Sequence, residues 1–168
     1  MLSYGSNANP QKFVRNGVSL PGVSLAAEVE DLAAVWCHDA RYVERVPATL
    51  THWPGSRERH AISYVTPVDL APLDLVEGRA TDWYRLIRLT EGRVVREDGV
   101  VVDDVLSYVG GRPGRLPLVD CAGSVIRLSD MEHADARAAG QDEDYGSGEV
   151  PDLGPVVRDT PSPLPCGR

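Results

Sequence analysis

Short apolar and β-branched runs along the chain predict a protein built mainly of β-strands. Runs of this kind, four to eight residues long and bounded by turn residues, are typical of strands. They occupy residues 32–36, 48–51, 61–65, 83–89, 94–96 and 100–109. Pro54-Gly55-Ser56 predicts a turn between the second and third runs, and Glu97-Asp98-Gly99 predicts a hairpin between the last two.

Helical spacing is confined to three short segments. The first follows Pro10 and covers residues 11–15. The second covers residues 69–76, with Asp69 as its N-cap. The third runs from Ser129 to Gly140, with Ser129 and Glu132 forming a capping box. The strands and helices together predict an α+β domain, in which a mainly antiparallel sheet curls into a small barrel flanked by short helices.

Composition changes after residue 140. The chain has 168 residues, which fits one domain, and we assign residues 1–140 to it. Residues 141–168 are rich in Asp, Glu, Gly and Pro and show little periodicity. This pattern predicts an acidic tail that is at least partly flexible.

Charge and cysteine content restrict the partners and the compartment. Seventeen basic and 25 acidic residues give a net charge of −8, which disfavours binding to nucleic acid or to an anionic membrane surface. No apolar run is long enough to span a bilayer, and the N-terminus shows no signal peptide. Three cysteines without a C-x-x-C pair suit a reducing compartment, so we expect a cytoplasmic protein.

Two separated motifs carry the candidate chemistry. The first is the loop Tyr4-Gly5-Ser6-Asn7, in which glycine permits close approach of the backbone to a ligand and successive N–H groups can bind an anion. The side chains of Ser6 and Asn7 add hydrogen-bonding groups. The second motif is Glu77-Gly78 at the end of the predicted second helix, followed seven residues later by Tyr84. A carboxylate in this position can accept and return a proton.

Together the two motifs resemble the γ-glutamylcyclotransferase (AIG2-like) family over roughly residues 2–108. The resemblance implies a small β-barrel and an intramolecular aminolysis that converts a γ-glutamyl amide into 5-oxoproline and a free amine. It implies Glu77 as the general acid and base, and no metal or cofactor. The residues it assigns to binding the γ-glutamyl substrate are Tyr4, Gly5, Ser6, Asn7, Tyr84 and Tyr108.

Three departures from the family pattern keep other interpretations open. The strand before the loop is nearly missing, which suggests an upstream start; Ala8 replaces a bulky apolar residue; and the C-terminal region is acidic instead of helical. The main alternative is a non-catalytic protein of the same fold that binds a small acidic ligand or a protein partner. A weaker alternative is a module whose acidic tail binds a basic partner. The four histidines show no metal-binding spacing, and Ser6 lies in no G-x-S-x-G motif.

Overall fold

The computed structural model describes residues 1–15, 24–38 and 46–158. In these ranges the chain forms eight strands and three short α-helices. The strands are β1 (Leu2–Ser3), β2 (Ser24–Trp36), β3 (Ala48–Ser63), β4 (Tyr84–Arg88), β5 (Arg93–Arg96), β6 (Leu106–Gly110), β7 (Leu118–Asp120) and β8 (Tyr145–Ser147). The helices are α1 (Pro10–Arg15), α2 (Pro67–Val76) and α3 (His133–Ala139), with 3₁₀ turns at Gly5–Ala8 and Arg79–Thr81. Within the described ranges, none of these helices is long and apolar enough to cross a membrane.

Six strands form one mixed sheet in the order β4-β6-β1-β3-β2-β5. Every pair is antiparallel except β1 with β6, which is parallel. The prediction of a mixed, mainly antiparallel sheet with short helices is therefore confirmed. The closed barrel is not, because β4 and β5 end the described sheet without pairing with each other. Strands β7 and β8 form a separate two-stranded sheet.

Strand β1 lies at the centre of the sheet although it has only two residues. Leu2 pairs with Ile62 of β3 on one side and with Ser107 of β6 on the other. Leu2 and Ser3 are both buried. Since the loop that begins at Tyr4 follows directly, the central strand fixes where that loop enters the molecule.

The two strands and the intervening turn expected between residues 48 and 65 are a single strand, β3. The prediction was wrong because Pro54 and Gly55 lie in a β-bulge and not in a hairpin turn. The register with β2 shifts between Glu30 and Leu32, and residues 53–56 have no regular partner there. A proline at such a position removes no ladder hydrogen bond, so the strand continues through it.

Helix α2 begins two residues earlier than expected. Its N-cap is Thr66, and Asp69 is the third helical residue of a reciprocal capping box rather than the cap itself. The Thr66 N–H donates to Asp69 Oδ2 at 2.6 Å. Leu70 and Leu73 are buried in a small core cluster against Leu86 of β4 and Tyr108 of β6. This packing places the C-terminal end of α2 over β4 and β6.

Two further boundary predictions were wrong. Helix α3 begins at His133 with Glu132 as its N-cap, so Ser129 does not cap it. The hairpin turn before Gly99 is present, with the Gly99 N–H donating to the Arg96 carbonyl at 2.8 Å. The strand after that turn does not continue to Val109, because β6 starts separately at Leu106.

Part of the segment beyond residue 140 packs on the domain. Strand β8 pairs with β7, and Leu153 is 1% exposed within the main core cluster. Residues 153–157 run along the edge strand β4, where the Arg88 N–H donates to the Pro155 carbonyl at 3.0 Å and the Val157 N–H donates to the Leu86 carbonyl at 2.9 Å. Residues 159–168 of the expected tail lie outside the described residues.

Candidate active site

The N-terminal loop is a short 3₁₀ turn whose first position favours glycine. Gly5 has φ +52°, in the left-handed region. A Cβ atom built on Gly5 would lie 3.3 Å from the Cβ of Ala48, at the start of β3. The turn closes with the Asn7 N–H donating to the Tyr4 carbonyl at 3.0 Å. Packing against β3 therefore holds the loop in one conformation.

Glu77 is buried at the C-terminal end of α2. Its N–H donates to the Leu73 carbonyl at 2.9 Å, and Gly78 then leaves the helix with φ +63°. The residue is only 4% exposed. A carboxylate with so little contact with water needs charged or polar partners to offset its desolvation.

Lys12 provides one partner and links the two motifs. Its Nζ lies 3.0 Å from Glu77 Oε1, and it also donates to Oδ1 of Asn7. The lysine side chain is 28% exposed, whereas that of Glu77 is 3% exposed. One ammonium group thus contacts both the N-terminal loop and the carboxylate, which brings the two sequence motifs into one site.

Three tyrosines surround this region, each with its hydroxyl bonded to a defined acceptor. The Tyr4 hydroxyl donates to the Tyr108 carbonyl. The Tyr84 hydroxyl donates to the Ala48 carbonyl at 3.0 Å. The Tyr108 hydroxyl donates to Asp74 Oδ1 at 2.7 Å. The rings are therefore anchored on β3, on β6 and on α2.

Burial raises the pKa of all three tyrosine hydroxyls. For Tyr4 and Tyr84 desolvation is the largest cause, and the charge of Glu77 raises the pKa further. For Tyr108 desolvation is again largest, followed by the hydrogen bond to Asp74, with Glu77 contributing as well. The charge of Glu77 therefore contributes to the raised pKa of all three hydroxyls.

An ion pair behind Glu77 fixes the end of α2. Arg79 Nη1 donates to Asp74 Oδ2 at 2.8 Å, while the other Asp74 oxygen accepts the Tyr108 hydroxyl. Arg79 also donates to the carbonyl of Val157. The network joins the helix, β6 and the C-terminal segment, and it holds the backbone that carries Glu77.

A second cation lies on the far side of Tyr84. The guanidinium of Arg115 is 4.1 Å from the ring centroid of Trp83 and 5.8 Å from that of Tyr84. Arg115 is 8% exposed. The Arg115 carbonyl accepts a hydrogen bond from the thiol of the buried Cys37 at 3.3 Å.

Lys12 contacts both Asn7 and Glu77, and the charge of Glu77 contributes to the raised pKa of Tyr4, Tyr84 and Tyr108, whereas Gly5 and Ser6 are exposed. The sequence pattern did not point to Lys12, Asp74 or Arg115. Only Lys12 left a signal, since it is the only lysine in the chain. In the described ranges no group of three or more His, Cys, Asp or Glu side chains is arranged to hold a metal ion.

Comparison with known proteins gives a fold match and no sequence match. No family model matches this chain, and no curated protein sequence matches it. The crystal structure of YkqA from Bacillus subtilis superposes with a TM-score of 0.53 at 16% sequence identity. The match covers 69% of this chain and 42% of YkqA, so the chain corresponds to less than half of that protein. At this identity the match shows that the two proteins share a fold.

Proposed function

We propose that the protein is a γ-glutamyl cyclotransferase that converts a γ-glutamyl amide into 5-oxoproline and a free amine. The observation that carries this proposal is the environment of Glu77. A carboxylate that is 4% exposed is joined through Lys12 to the N-terminal loop, and its charge contributes to the raised pKa of Tyr4, Tyr84 and Tyr108. A buried ionisable group in a polar cluster is a common feature of catalytic sites.

Glu77 would move one proton in two steps. It first accepts a proton from the substrate α-ammonium, which leaves a neutral amine that attacks the γ-carbonyl carbon of the same molecule. The new C–N bond closes the five-membered ring, and the bond to the leaving nitrogen breaks as Glu77 returns the proton to that nitrogen. The attacking nitrogen loses its second proton as the lactam forms, and the released amine takes that proton up and leaves as an ammonium ion. Because attacking and reacting atoms belong to one molecule, the site has only to hold the ring-closing conformation and stabilise the oxyanion.

The other expected site residues would bind and orient the substrate. The hydroxyls of Tyr84 and Tyr108 already donate to the Ala48 carbonyl and to Asp74, so each would contact the substrate through the acceptor lone pairs of its oxygen. The backbone of Gly5 and Ser6, with the amide of Asn7, would contact the polar end of the γ-glutamyl group. Tyr4 would support that loop from below, since its hydroxyl is bonded to β6.

The test is release of 5-oxoproline from a panel of γ-glutamyl amines, amino acids and peptides. We expect Glu77→Gln to reduce kcat at least about 100-fold, because the amide keeps the shape but cannot accept a proton. Glu149→Gln, at an exposed position, serves as the matched control and should retain full activity.

Two results would contradict the proposal. Full activity of Glu77→Gln would remove the glutamate from the mechanism. A wild-type protein that is inactive on the whole panel, yet folded by circular dichroism, would favour the non-catalytic binding protein of the same fold.

A further inference from the structure

Lys12 is a charged side chain for which the proposed proton transfer has no use. It is the chain's only lysine, and it follows the N-terminal loop by five positions. Its ammonium group lies between two partners from separate parts of the chain, Asn7 of the loop and Glu77 of α2. A side chain that lies inside the proposed site, in contact with its central carboxylate, must either leave when substrate binds or contact the substrate.

The Lys12–Glu77 pair is electrostatically complementary to the head group of an α-amino acid. A γ-glutamyl substrate carries an ammonium and a carboxylate on the same carbon atom. Proton transfer requires the ammonium beside Glu77, which brings the attached carboxylate close to whatever cation neighbours that glutamate. Lys12 Nζ, 3.0 Å from Glu77 Oε1, is that neighbour.

The lysine side chain can turn from Glu77 toward a substrate carboxylate without a backbone rearrangement. It is a compact charge on a flexible four-carbon stem with three donors that can be redirected. It is 28% exposed, so one side of it is open to solvent. Arg79, two positions after Glu77, is bonded to Asp74 and to the Val157 carbonyl.

We propose that Lys12 binds the α-carboxylate of the substrate and thereby selects γ-glutamyl compounds whose α-carboxylate is free. The inference rests on the proposed function, because it takes the γ-glutamyl head group as the ligand of this site. In the free protein Lys12 pairs with Glu77; in the complex the substrate ammonium takes its place at Glu77, and Lys12 pairs with the carboxylate. The product 5-oxoproline keeps the carboxylate, so it makes the same contact with Lys12.

The closing experiment measures binding and does not depend on turnover. Calorimetry compares the dissociation constants of 5-oxoproline and its neutral carboxamide for wild type and for Lys12→Met. We expect wild type to bind the carboxylate about tenfold or more tightly than the carboxamide, as a charge-assisted hydrogen bond provides. In Lys12→Met the two affinities should become equal, mainly through loss of carboxylate binding.

Two further variants separate the charge of Lys12 from its structural effect. Lys12→Arg keeps a cation beside Glu77 and should retain most of the preference for the carboxylate. Arg15→Met removes an exposed cation from the same helix and should leave the preference unchanged. If Lys12→Met is poorly folded, the comparison between wild type and Lys12→Arg in buffers of low and high salt tests the same point, since the preference must weaken with salt.

The outcomes distinguish this inference from the proposed function. An unchanged carboxylate preference in folded Lys12→Met, or no preference in wild type, overturns the role of Lys12 even if 5-oxoproline is released from substrate. A Lys12-dependent preference in a protein that releases no 5-oxoproline supports the carboxylate site and rejects the catalytic proposal.

Discussion

Glu77 holds a charge in a position that is almost closed to water. Lys12 Nζ, at 3.0 Å, supplies a compensating positive charge. Removing one member of a buried pair leaves the other charge uncompensated, which is why such pairs are sensitive to single substitutions. Lys12 is partly exposed, so solvent weakens this pair relative to a fully buried one.

The tyrosines around Glu77 predict loss of stability in alkaline solution. Their folded pKa values are raised by burial, so the unfolded chain releases protons above about pH 10 that the folded chain keeps. Stability is therefore complete below that pH and falls as the pH rises further. The expected slope is about 1.4 kcal/mol per pH unit for each such tyrosine.

Urea denaturation at several pH values between about 9 and 11 measures this slope. The free energy of unfolding of Tyr108→Phe should fall less steeply with rising pH than that of wild type, because one of the three tyrosine hydroxyls is gone. A wild-type free energy of unfolding that stays constant across this range would contradict the assignment.

At the scale of elements, the irregularity in the long β2–β3 pair is the feature that departs most from a simple sheet. Asp31 lies at the bulge with φ +60°, in the left-handed region. Its carboxylate accepts the Gly55 N–H at 2.6 Å, and the Ser56 hydroxyl donates to the Leu32 carbonyl at 3.0 Å. These bonds replace the ladder bonds lost at the register shift. They keep β3 as one strand, from Ala48 near the candidate site to Ser63.

Substitution of Asp31 tests whether its side chain maintains the bulge. Asp31→Ala should destabilise the protein by about 1–2 kcal/mol, since it loses the bond to Gly55 and adopts the left-handed conformation less easily. Asp31→Asn keeps an acceptor and tolerates that conformation, so its unfolding free energy should lie within about 0.5 kcal/mol of wild type. Equal stability of the two variants in chemical denaturation would show that the bulge does not depend on this side chain.

At the scale of the whole molecule, the segment after residue 140 closes the edge of the sheet. Residues 153–157 bond to β4 and reach the Arg79 network behind Glu77. Leu153 lies in the main core with Leu2 and Leu32, which come from near the beginning of the chain. An exposed strand edge invites pairing with other chains, and covering it with a chain segment prevents this.

Leu153→Ala should lower the free energy of unfolding by about 2–5 kcal/mol, because it removes a fully buried side chain and leaves a cavity. Val156→Ala is the matched control. The Val156 side chain, in the same segment, is 43% exposed. The substitution should therefore lower the free energy of unfolding by less than about 1 kcal/mol. Thermal or urea unfolding compares the two. Similar small losses in both would mean that the segment adds little to the core.

The sequence alone predicted the features that depend on local patterns. Apolar runs located most of the strands, and helical spacing with a terminating glycine located α2 and its end at Glu77-Gly78. The resemblance of the two motifs to a known family also implied that the loop and Glu77 belong to one site, and contacts of Lys12 with both are consistent with that expectation. The strands and α2 are readable because each depends on residues close together in the chain.

The tertiary structure decided what depends on residues far apart in the chain. Pro54-Gly55 reads as a turn locally, but the facing strand β2 and Asp31 make it a bulge. The composition after residue 140 favours flexibility, yet Leu153 finds an apolar core to enter. The local pattern gave Lys12 no partner, and the tertiary structure brings Glu77 to it from 65 positions away. Long-range pairing and burial supply more free energy than local preference, and a single sequence does not show which distant partner a residue will meet.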